Sequence, residues 1–314
     1  MNTKTLGWGF VALFFASVAA LPFLGSSYFV SIGINLLQYA VMATAWAMFS
    51  GPTRYVSLAT GSFYGAGVYT VAVLGEMLPL PMVILIAFAV GALLALLVGL
   101  ATLRLSGVFF VIFTFGLGEL VRQLVTWHEV NVTGTMIRYL FLTVSATQIY
   151  WQLAALLAVV LLTGWWIYRT RLGTALRLIG EDETVATHVG IDTAMVKLVL
   201  FALSSGFIAV TGAIMAPRWT YIDPSVAFNM NISFLVLIIA LLGGASRLLG
   251  PLVGAIPLVL MLEVLTVHFP NHYSILVGLV FIVIVYFIPE GLLGRFVRRK
   301  SAAPVKLQAV EAVQ

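Results

Sequence analysis

The residues best suited to chemistry in water lie in one segment, the charged loop, residues 169–195. It holds three consecutive acids, Glu181, Asp182 and Glu183, followed by His188. Carboxylates and an imidazole could bind a divalent metal ion, or they could form a docking surface for another protein. Consecutive side chains point in different directions around a helix, and no histidine shares a face with these acids three or four residues away. The pattern therefore favours docking, and we expect no metal site and no cofactor.

Two short amphipathic helices are predicted inside the charged loop. The first has Thr174 as its N-cap, carries Leu176 and Ile179 on one face and ends at Gly180. The second has acids in its first turn and His188 near its end, which is the order of charges that a helix dipole favours. Together they would form a compact, rigid knob. The same pattern also fits a solvated loop that only connects its neighbours.

Other ionisable residues stand inside long apolar runs, where a charge is a functional candidate by default. We expect Glu119 to pair with Arg122, three residues later on the same helical face, and Glu263 to lie near the outer end of its helix. A proton relay would instead require the two acids to lie deep and to face each other. His268 and His272 have a helical metal-binding spacing, but a proline stands between them, so we expect an interfacial turn.

An enzyme would need a positioned nucleophile or a pair of acids inside the apolar runs. Asp192 and Asp223 lie outside those runs, and Ser204 and Ser205 have no histidine at a suitable spacing. An intramembrane protease is therefore not expected. The chain also has no G-x-x-x-x-G-K-[ST] phosphate loop, so any ATP must be hydrolysed by a partner.

The composition defines the class of protein. The 314 residues are 62% hydrophobic and 9% charged, with a mean hydropathy of +1.11, whereas soluble chains are about 25% charged. Long unbroken apolar runs predict an all-α polytopic membrane protein rather than a barrel. There is no cysteine, which excludes disulfides and thiolate metal sites. The formal charge of +5 is explained by loop orientation rather than by binding to nucleic acid.

About ten membrane spans are predicted, at 6–24, 28–49, 57–76, 82–103, 107–125, 149–168, 196–216, 231–242, 248–267 and 273–288. The first could also be a secretory signal, but a retained helix is preferred because the run is long. Residues 126–147 are expected to form an exposed loop, and residues 217–230 an interfacial or re-entrant segment. With the amino terminus in the cytoplasm, all 16 lysines and arginines except Arg122, Arg138 and Arg218 fall on the cytoplasmic side. Both termini and the charged loop are therefore expected to be cytoplasmic.

Several blocks of sequence, in the right order, resemble the permease subunits of branched-chain amino acid ABC importers, specifically the LivM-like type. The most specific is G-T-A-L-R-L-I-G-E-D-E-T-V-A-T-H-V-G-I-D-T-A-M-V-K-L-V-L-F at 173–201. The others are S-L-A-T-G-S-F-Y-G-A-G-V-Y-T (57–70), R-L-S-G-V-F-F-V-I-F-T-F-G-L-G-E-L-V-R (104–122), Y-I-D-P (221–224), L-G-G-A-S-R-L-L-G-P-L-V-G-A (242–255) and I-P-E-G-L-L-G (288–294). The resemblance covers nearly the whole chain.

The resemblance implies a single permease domain, residues 1–294, and the basic cytoplasmic tail at 295–314 is expected to be disordered. It further implies four partners: a homologous second permease, a pair of cytoplasmic ATPases, an extracytoplasmic solute-binding protein and the lipid bilayer of the bacterial inner membrane. Within the charged loop, the implied contacts with the ATPase are Leu176, Arg177, Ile179, Glu181, Asp182, Glu183, Val185 and His188, with Val189 as a further apolar contact. Such architectures often contain an inverted repeat, although self-similarity within this sequence does not demonstrate one.

The resemblance also suggests residues that line the translocation pathway, namely Ser57, Thr60, Tyr64, Asn229, Asn231 and Ser233. Departures from the family pattern fall in the same regions: Thr60 replaces a common histidine, Ser233 replaces a common glutamate, and G-P-T-R at 51–54 replaces a Gly-Tyr-Thr-Gly turn. The substrate therefore stays open between branched-chain amino acids, urea or short amides, and aromatic acids. An ion-coupled secondary transporter is the other class that small-residue helices and midplane polar groups would suit.

Overall fold

A computed structural model of the chain describes residues 14–22, 26–103, 105, 107–287 and 291–292. The described part is helical almost throughout, which confirms the predicted all-α class. The helices are α1 (residues 14–22), α2 (Ser27–Thr53), α3 (Thr60–Leu74), α4 (Leu80–Thr102), α5 (Val108–His128), α6 (Ala146–Arg169), α7 (Arg171–Glu181), α8 (Glu183–His188), α9 (Thr193–Met215), α10 (Pro224–Ala227), α11 (Met230–Gly243), α12 (Gly250–His268) and α13 (Tyr273–Phe287).

Seven helices in the described part are long and apolar enough to cross a bilayer. They correspond to α2, α4, α5, α6, α9, α11 together with α10, and α12. By contrast α3 and α13 have 15 residues each, about 22 Å at the helical rise, which is shorter than a bilayer core of about 30 Å. Part of the first predicted span, and the tail at 295–314, lie outside the described residues. The protein is thus a multi-pass membrane protein, while the predicted number of ten spans is not confirmed.

Helices α2 and α9 form the centre of the bundle. In each, 78% of the most apolar stretch is buried inside the protein, compared with 17% for α5. Helices α3 and α4 pack against α9, and α6 and α12 pack against α2. Helix α5 therefore stands at the periphery, with a broad apolar face available to lipid or to another protein.

Glycine allows α3 and α9 to approach each other closely. A Cβ atom on Gly67 would lie 1.8 Å from the carbonyl oxygen of Ala209, and one on Gly212 would lie 2.1 Å from the carbonyl oxygen of Tyr64. Both contacts are with backbone, which cannot turn aside as a flexible side chain can. The small residues of the third predicted span therefore permit close helix packing, as expected for membrane helices.

The segment 126–147 is more ordered than its sequence predicts. Helix α5 continues to His128 and then as a π-helix over Glu129–Thr133, and a short strand β1 (Arg138–Tyr139) pairs antiparallel with β2 (Tyr221–Ile222). The prediction of an exposed loop was therefore wrong over its first half. An ion pair contributes to this order: Arg138 Nε lies 2.9 Å from Oε1 of the buried Glu129 and joins the strand β1 to the start of the π-helix.

Replacing Arg138 with methionine is expected to destabilise this end of the protein, because it leaves the Glu129 carboxylate buried without its charged partner. Breaking a fully buried pair costs about 3–5 kcal/mol, and the cost here should fall below that range because a quarter of Arg138 is exposed. The measurement is the thermal unfolding midpoint of the purified protein in detergent. A Glu129→Met/Arg138→Met double variant should recover most of the loss, and equal midpoints for the single variant and the wild type would contradict the assignment.

Candidate functional site

The charged loop forms two helices that together we call the knob, α7 (Arg171–Glu181) and α8 (Glu183–His188). Two helices were predicted, but their bounds differ. The chain turns at Thr170, which has extended backbone and whose hydroxyl donates to the Ile167 carbonyl, so α7 begins there and Thr174 lies inside the helix. Gly180 is also helical instead of ending the helix. Its lack of a side chain serves packing, since a Cβ atom there would lie 1.9 Å from the carbonyl oxygen of Pro52.

Asp182 separates the two helices of the knob and caps the second. Its Oδ1 accepts hydrogen bonds from the backbone N–H groups of Thr184, at 2.8 Å, and Val185, at 3.2 Å. These bonds from Val185 and Thr184 lower the pKa of the Asp182 carboxyl. Asp182 is therefore a negative charge with a fixed direction on the surface of the knob.

The two apolar residues of α7 that were expected to contact the ATPase, Leu176 and Ile179, face inward. Leu176 is 1% exposed and Ile179 is 4% exposed, because both pack against the membrane helices of this same chain. The expectation that they contact an ATPase directly is corrected: they attach the knob to its own bundle. The most exposed apolar side chains at the knob are Val185, 51% exposed, and Val189, 69% exposed and directly after α8, while Leu172 at the start of α7 is 38% exposed. Arg177, Glu181 and His188 are exposed around them.

Glu183 also turns inward, although it was expected to set the register of a partner. Its Oε1 accepts hydrogen bonds from Lys197 Nζ at 2.5 Å and Thr193 Oγ1 at 3.1 Å, and its Oε2 accepts one from the Tyr55 hydroxyl at 2.7 Å. We call these four residues, Tyr55, Glu183, Thr193 and Lys197, the clasp. Partial burial would raise the pKa of Glu183, but the hydrogen bonds from Lys197, Tyr55 and Thr193 outweigh it and lower the pKa.

Lys197 is the least expected member of the clasp, because it is only 2% exposed although it lies near the start of the membrane helix α9. Its ammonium lies 4.5 Å from the centre of the Tyr55 ring, so the ring face and the Glu183 carboxylate together stabilise the charge. The sequence contained one signal for this arrangement, a lysine in the first turns of an otherwise apolar helix. Nothing in the sequence indicated that Tyr55 is its partner.

The residues expected to line the translocation pathway separate into two groups. Ser57, Thr60, Tyr64 and Ser233 are buried among the helices of this chain, where for example Ser233 Oγ accepts a hydrogen bond from the Gly61 N–H at 2.8 Å. In this conformation the four side chains do not face an open path, and their role in lining the pathway stays a prediction.

The second group, Asn229 and Asn231, is exposed at the start of α11. Asn229 caps the helix by accepting a hydrogen bond from the Asn231 N–H at 2.9 Å. One turn further along α11, Phe234 is exposed and its ring lies 6.3 Å from that of Phe115 on α5. The exposed amides thus stand beside the outward face of α5.

The acids in the apolar runs have the partners expected of structural groups. Glu119 forms an ion pair with Arg122 and also accepts a hydrogen bond from Gln123, which confirms the predicted pairing. Glu263 accepts a hydrogen bond of 3.2 Å from the Tyr28 hydroxyl. His268 ends α12 and is followed by a 3-10 turn, Pro270–His272, in agreement with the predicted interruption between the two histidines. Among the residues that the structure describes, no group of three or more His, Cys, Asp or Glu side chains could hold a metal ion.

Comparison with known proteins gives a consistent result. The profile of the family described as "Branched-chain amino acid transport system / permease component" matches residues 28–285, from α2 to α13. The high-affinity branched-chain amino acid transport system permease protein LivM of Escherichia coli K12 is 28% identical over 321 aligned positions, which cover 90% of this chain and 74% of LivM.

Two shorter similarities involve other permeases. LivH of Escherichia coli K12 is 26% identical over 127 positions, 40% of this chain and 41% of LivH. The ribose import permease protein RbsC of Haemophilus influenzae is 22% identical over 144 positions, 44% of this chain and 45% of RbsC. No solved structure matches the chain.

Proposed function

Because this chain belongs to the family of branched-chain amino acid transport system permease components, we propose that it forms half of the translocation pathway of an ABC importer for branched-chain or related hydrophobic amino acids. The observation that carries this proposal is the knob. Two short helices fold against the membrane bundle through Leu176 and Ile179, and they present Val185 and Val189 among charged side chains. An apolar patch with a polar rim is typical of protein–protein interfaces.

The partner on the knob is a cytoplasmic ATPase, since the chain contains no phosphate-binding loop of its own. The contact residues in this proposal are Val185 and Val189, with Arg177, Glu181 and His188 around them. Asp182 holds α8 in position through its cap. The positive-inside distribution of lysine and arginine supports a cytoplasmic knob and cytoplasmic termini.

The other half of the pathway comes from a second, homologous permease. Both LivM and LivH are similar to this chain, which supports a pair of related permeases. The exposed amides of Asn229 and Asn231 support a location for the pathway beside α5 and α11, because exposing polar amide groups to lipid is costly. A solute-binding protein delivers the amino acid from the opposite side, in keeping with the architecture that the family resemblance implies.

Uptake by the complete complex tests the proposal. Proteoliposomes that contain this chain, its partner permease and both ATPases are expected to accumulate labelled leucine only with ATP on the ATPase side and binding protein on the other. An ATPase variant that binds ATP without hydrolysing it should reduce accumulation to background. Accumulation driven by an ion gradient in liposomes with this chain alone would instead establish a secondary transporter. Urea and phenylalanine, presented with the same binding protein, test the alternative substrates.

A further inference from the structure

Among its contacts with the membrane helices, the knob touches one short segment, the corner, residues 51–59, which comprises the last three residues of α2 and the connection to α3. We propose that the corner receives the movement of the knob and transmits it to α3 and α5, with Tyr55 as the positioning residue that couples the two. This inference rests on the proposed function, because it assigns the route by which ATP-driven movement reaches the pathway.

The first contact between the knob and the corner is the clasp. The Tyr55 hydroxyl donates to Glu183 Oε2 at 2.7 Å and accepts from Lys197 Nζ at 3.3 Å. Since Lys197 also bonds Glu183 directly, the three groups form a closed triangle that joins α8, α9 and the corner. Hydrogen bonds that involve an ionised group are stronger than those between neutral groups, so we expect the corner to follow α8 when α8 moves.

The second contact is between backbones. Gly180 of α7 packs against Pro52 so closely that a Cβ atom would lie 1.9 Å from the proline carbonyl oxygen, and Gly51 packs in the same way against Ala245, at 2.1 Å. Backbone contacts of this kind leave no flexible side chain between the two elements. A displacement of α7 therefore moves the end of α2, and through it the turn between α11 and α12, because no side chain can rearrange to take up the movement.

On its other side the corner is fixed to α5. The Tyr55 ring meets the ring of Phe110 edge to face, with 5.2 Å between the centroids, and the Leu58 N–H donates to Thr114 Oγ1 at 3.2 Å. Phe110 in turn belongs to an aromatic cluster with Phe49, Phe63 and Phe201, from α2, α3 and α9. Tyr55 thus has its hydroxyl in the clasp and its ring among the helices beside the pathway.

The corner also has a defined conformation. Arg54, at φ 60°, is the one non-glycine residue with positive φ in the part of the chain that the structure describes, and its N–H closes α2 by bonding the Ser50 carbonyl. The Trp46 indole donates to the Ser57 carbonyl at 2.8 Å and holds the far end of the turn. A non-glycine residue persists in this region only when its surroundings enforce it, so the corner moves as a unit and does not flex.

The experiment measures transport per ATP in the complete reconstituted complex. Tyr55→Phe removes only the hydroxyl from the clasp and keeps the ring against Phe110, and Glu183→Gln removes the charge that Lys197 binds. Each variant is expected to retain its ATPases and its basal ATP hydrolysis within twofold, while leucine transported per ATP falls at least threefold. The double variant should lose no more transport per ATP than either single variant, because the two single changes and the double change all break the same contact. Tyr221→Phe, on β2, is the matched control and should match the wild type.

Three results would overturn the inference. Unchanged transport per ATP in both single variants would show that the clasp carries no movement. Loss of bound ATPase in either would make Tyr55 and Glu183 part of the docking surface instead. Multiplicative losses in the double variant would mean that the two residues act separately. Failure of the wild-type complex to use ATP for uptake would contradict the proposed function itself, and is thus distinguishable from failure of the clasp.

If Glu183→Gln impairs folding, the charge-reversed pair Glu183→Lys/Lys197→Glu supplies a second measurement. The reversed pair restores an ion pair that the Tyr55 hydroxyl can still join, as donor to one member and acceptor from the other. Transport per ATP should then recover to at least half of the wild-type value. A correctly folded reversed pair whose transport per ATP stays at the level of Tyr55→Phe would also overturn the inference.

Discussion

Replacing Gly67 with alanine is expected to prevent this protein from accumulating in the membrane in a folded form. The added methyl group would lie 1.8 Å from the carbonyl oxygen of Ala209, at the crossing of α3 and the central helix α9. Overpacking a core commonly costs about 1–3 kcal/mol, and the cost is greater where backbone must move. With a total stability of about 5–15 kcal/mol, a protein would lose much of it through this single methyl group.

The matched control is Gly116→Ala on α5. No atom lies within 4 Å of the Cβ that this change would add, and alanine favours a helix by about 1 kcal/mol over glycine. The measurement is the amount of monodisperse protein recovered from membranes by size-exclusion chromatography in detergent. We expect wild-type recovery for Gly116→Ala and a loss of at least tenfold for Gly67→Ala. Equal recovery of the two variants would show that the close crossing is wrong.

Replacing Val185 and Val189 together with aspartate is expected to reduce the amount of ATPase that co-purifies with the permease by at least about tenfold. Burying one valine side chain contributes about 1.5–3 kcal/mol, and each tenfold change in affinity corresponds to about 1.4 kcal/mol. Both side chains are more than half exposed, so the fold of the permease itself should be unaffected. ATP-driven uptake should fall in proportion to the ATPase lost.

Val132→Asp is the control for this change, because Val132 is 64% exposed but lies at the end of the π-helix, away from the knob. It should retain its ATPases. A double variant of the knob that keeps a full complement of ATPase would exclude Val185 and Val189 from the interface, and the exposed charges Arg177 and Glu181 would then be the residues to replace.

The corrected contacts of Leu176 and Ile179 show what an amphipathic pattern can predict. The spacing of Leu176 and Ile179 correctly predicts an apolar helical face. It contains no information about which molecule covers that face, because the membrane bundle of the same chain and a separate ATPase offer similar apolar surfaces. The bundle covers it, since only Thr170 separates the end of α6 from the start of α7, and one residue is too short a connection to hold α7 away from the bundle.

The three consecutive acids of the knob show the same limit for polar side chains, because the sequence gives their positions but not the groups that they contact. Glu181, Asp182 and Glu183 are equivalent as a run of charges, yet the fold gives them three different environments: an exposed surface, a helix cap and the clasp. A carboxylate pairs with the cation that tertiary structure brings near it, and Lys197 is 14 residues away along the chain. Glu119 and Arg122 could be paired from sequence because they are neighbours on one helix.

The sequence by itself determined that this protein is a helical membrane protein with a charged loop, and the resemblance of several sequence blocks to known permeases indicated transport. Apolar runs of bilayer length must satisfy their backbone groups within helices, and a dense group of charges must stay in water. Only the tertiary structure decided which side chains of the knob face outward, that Tyr55 joins the knob to α5, and that Ser57, Thr60, Tyr64 and Ser233 are enclosed while Asn229 and Asn231 are not. Those outcomes depend on contacts between residues far apart in the chain, which no local pattern encodes.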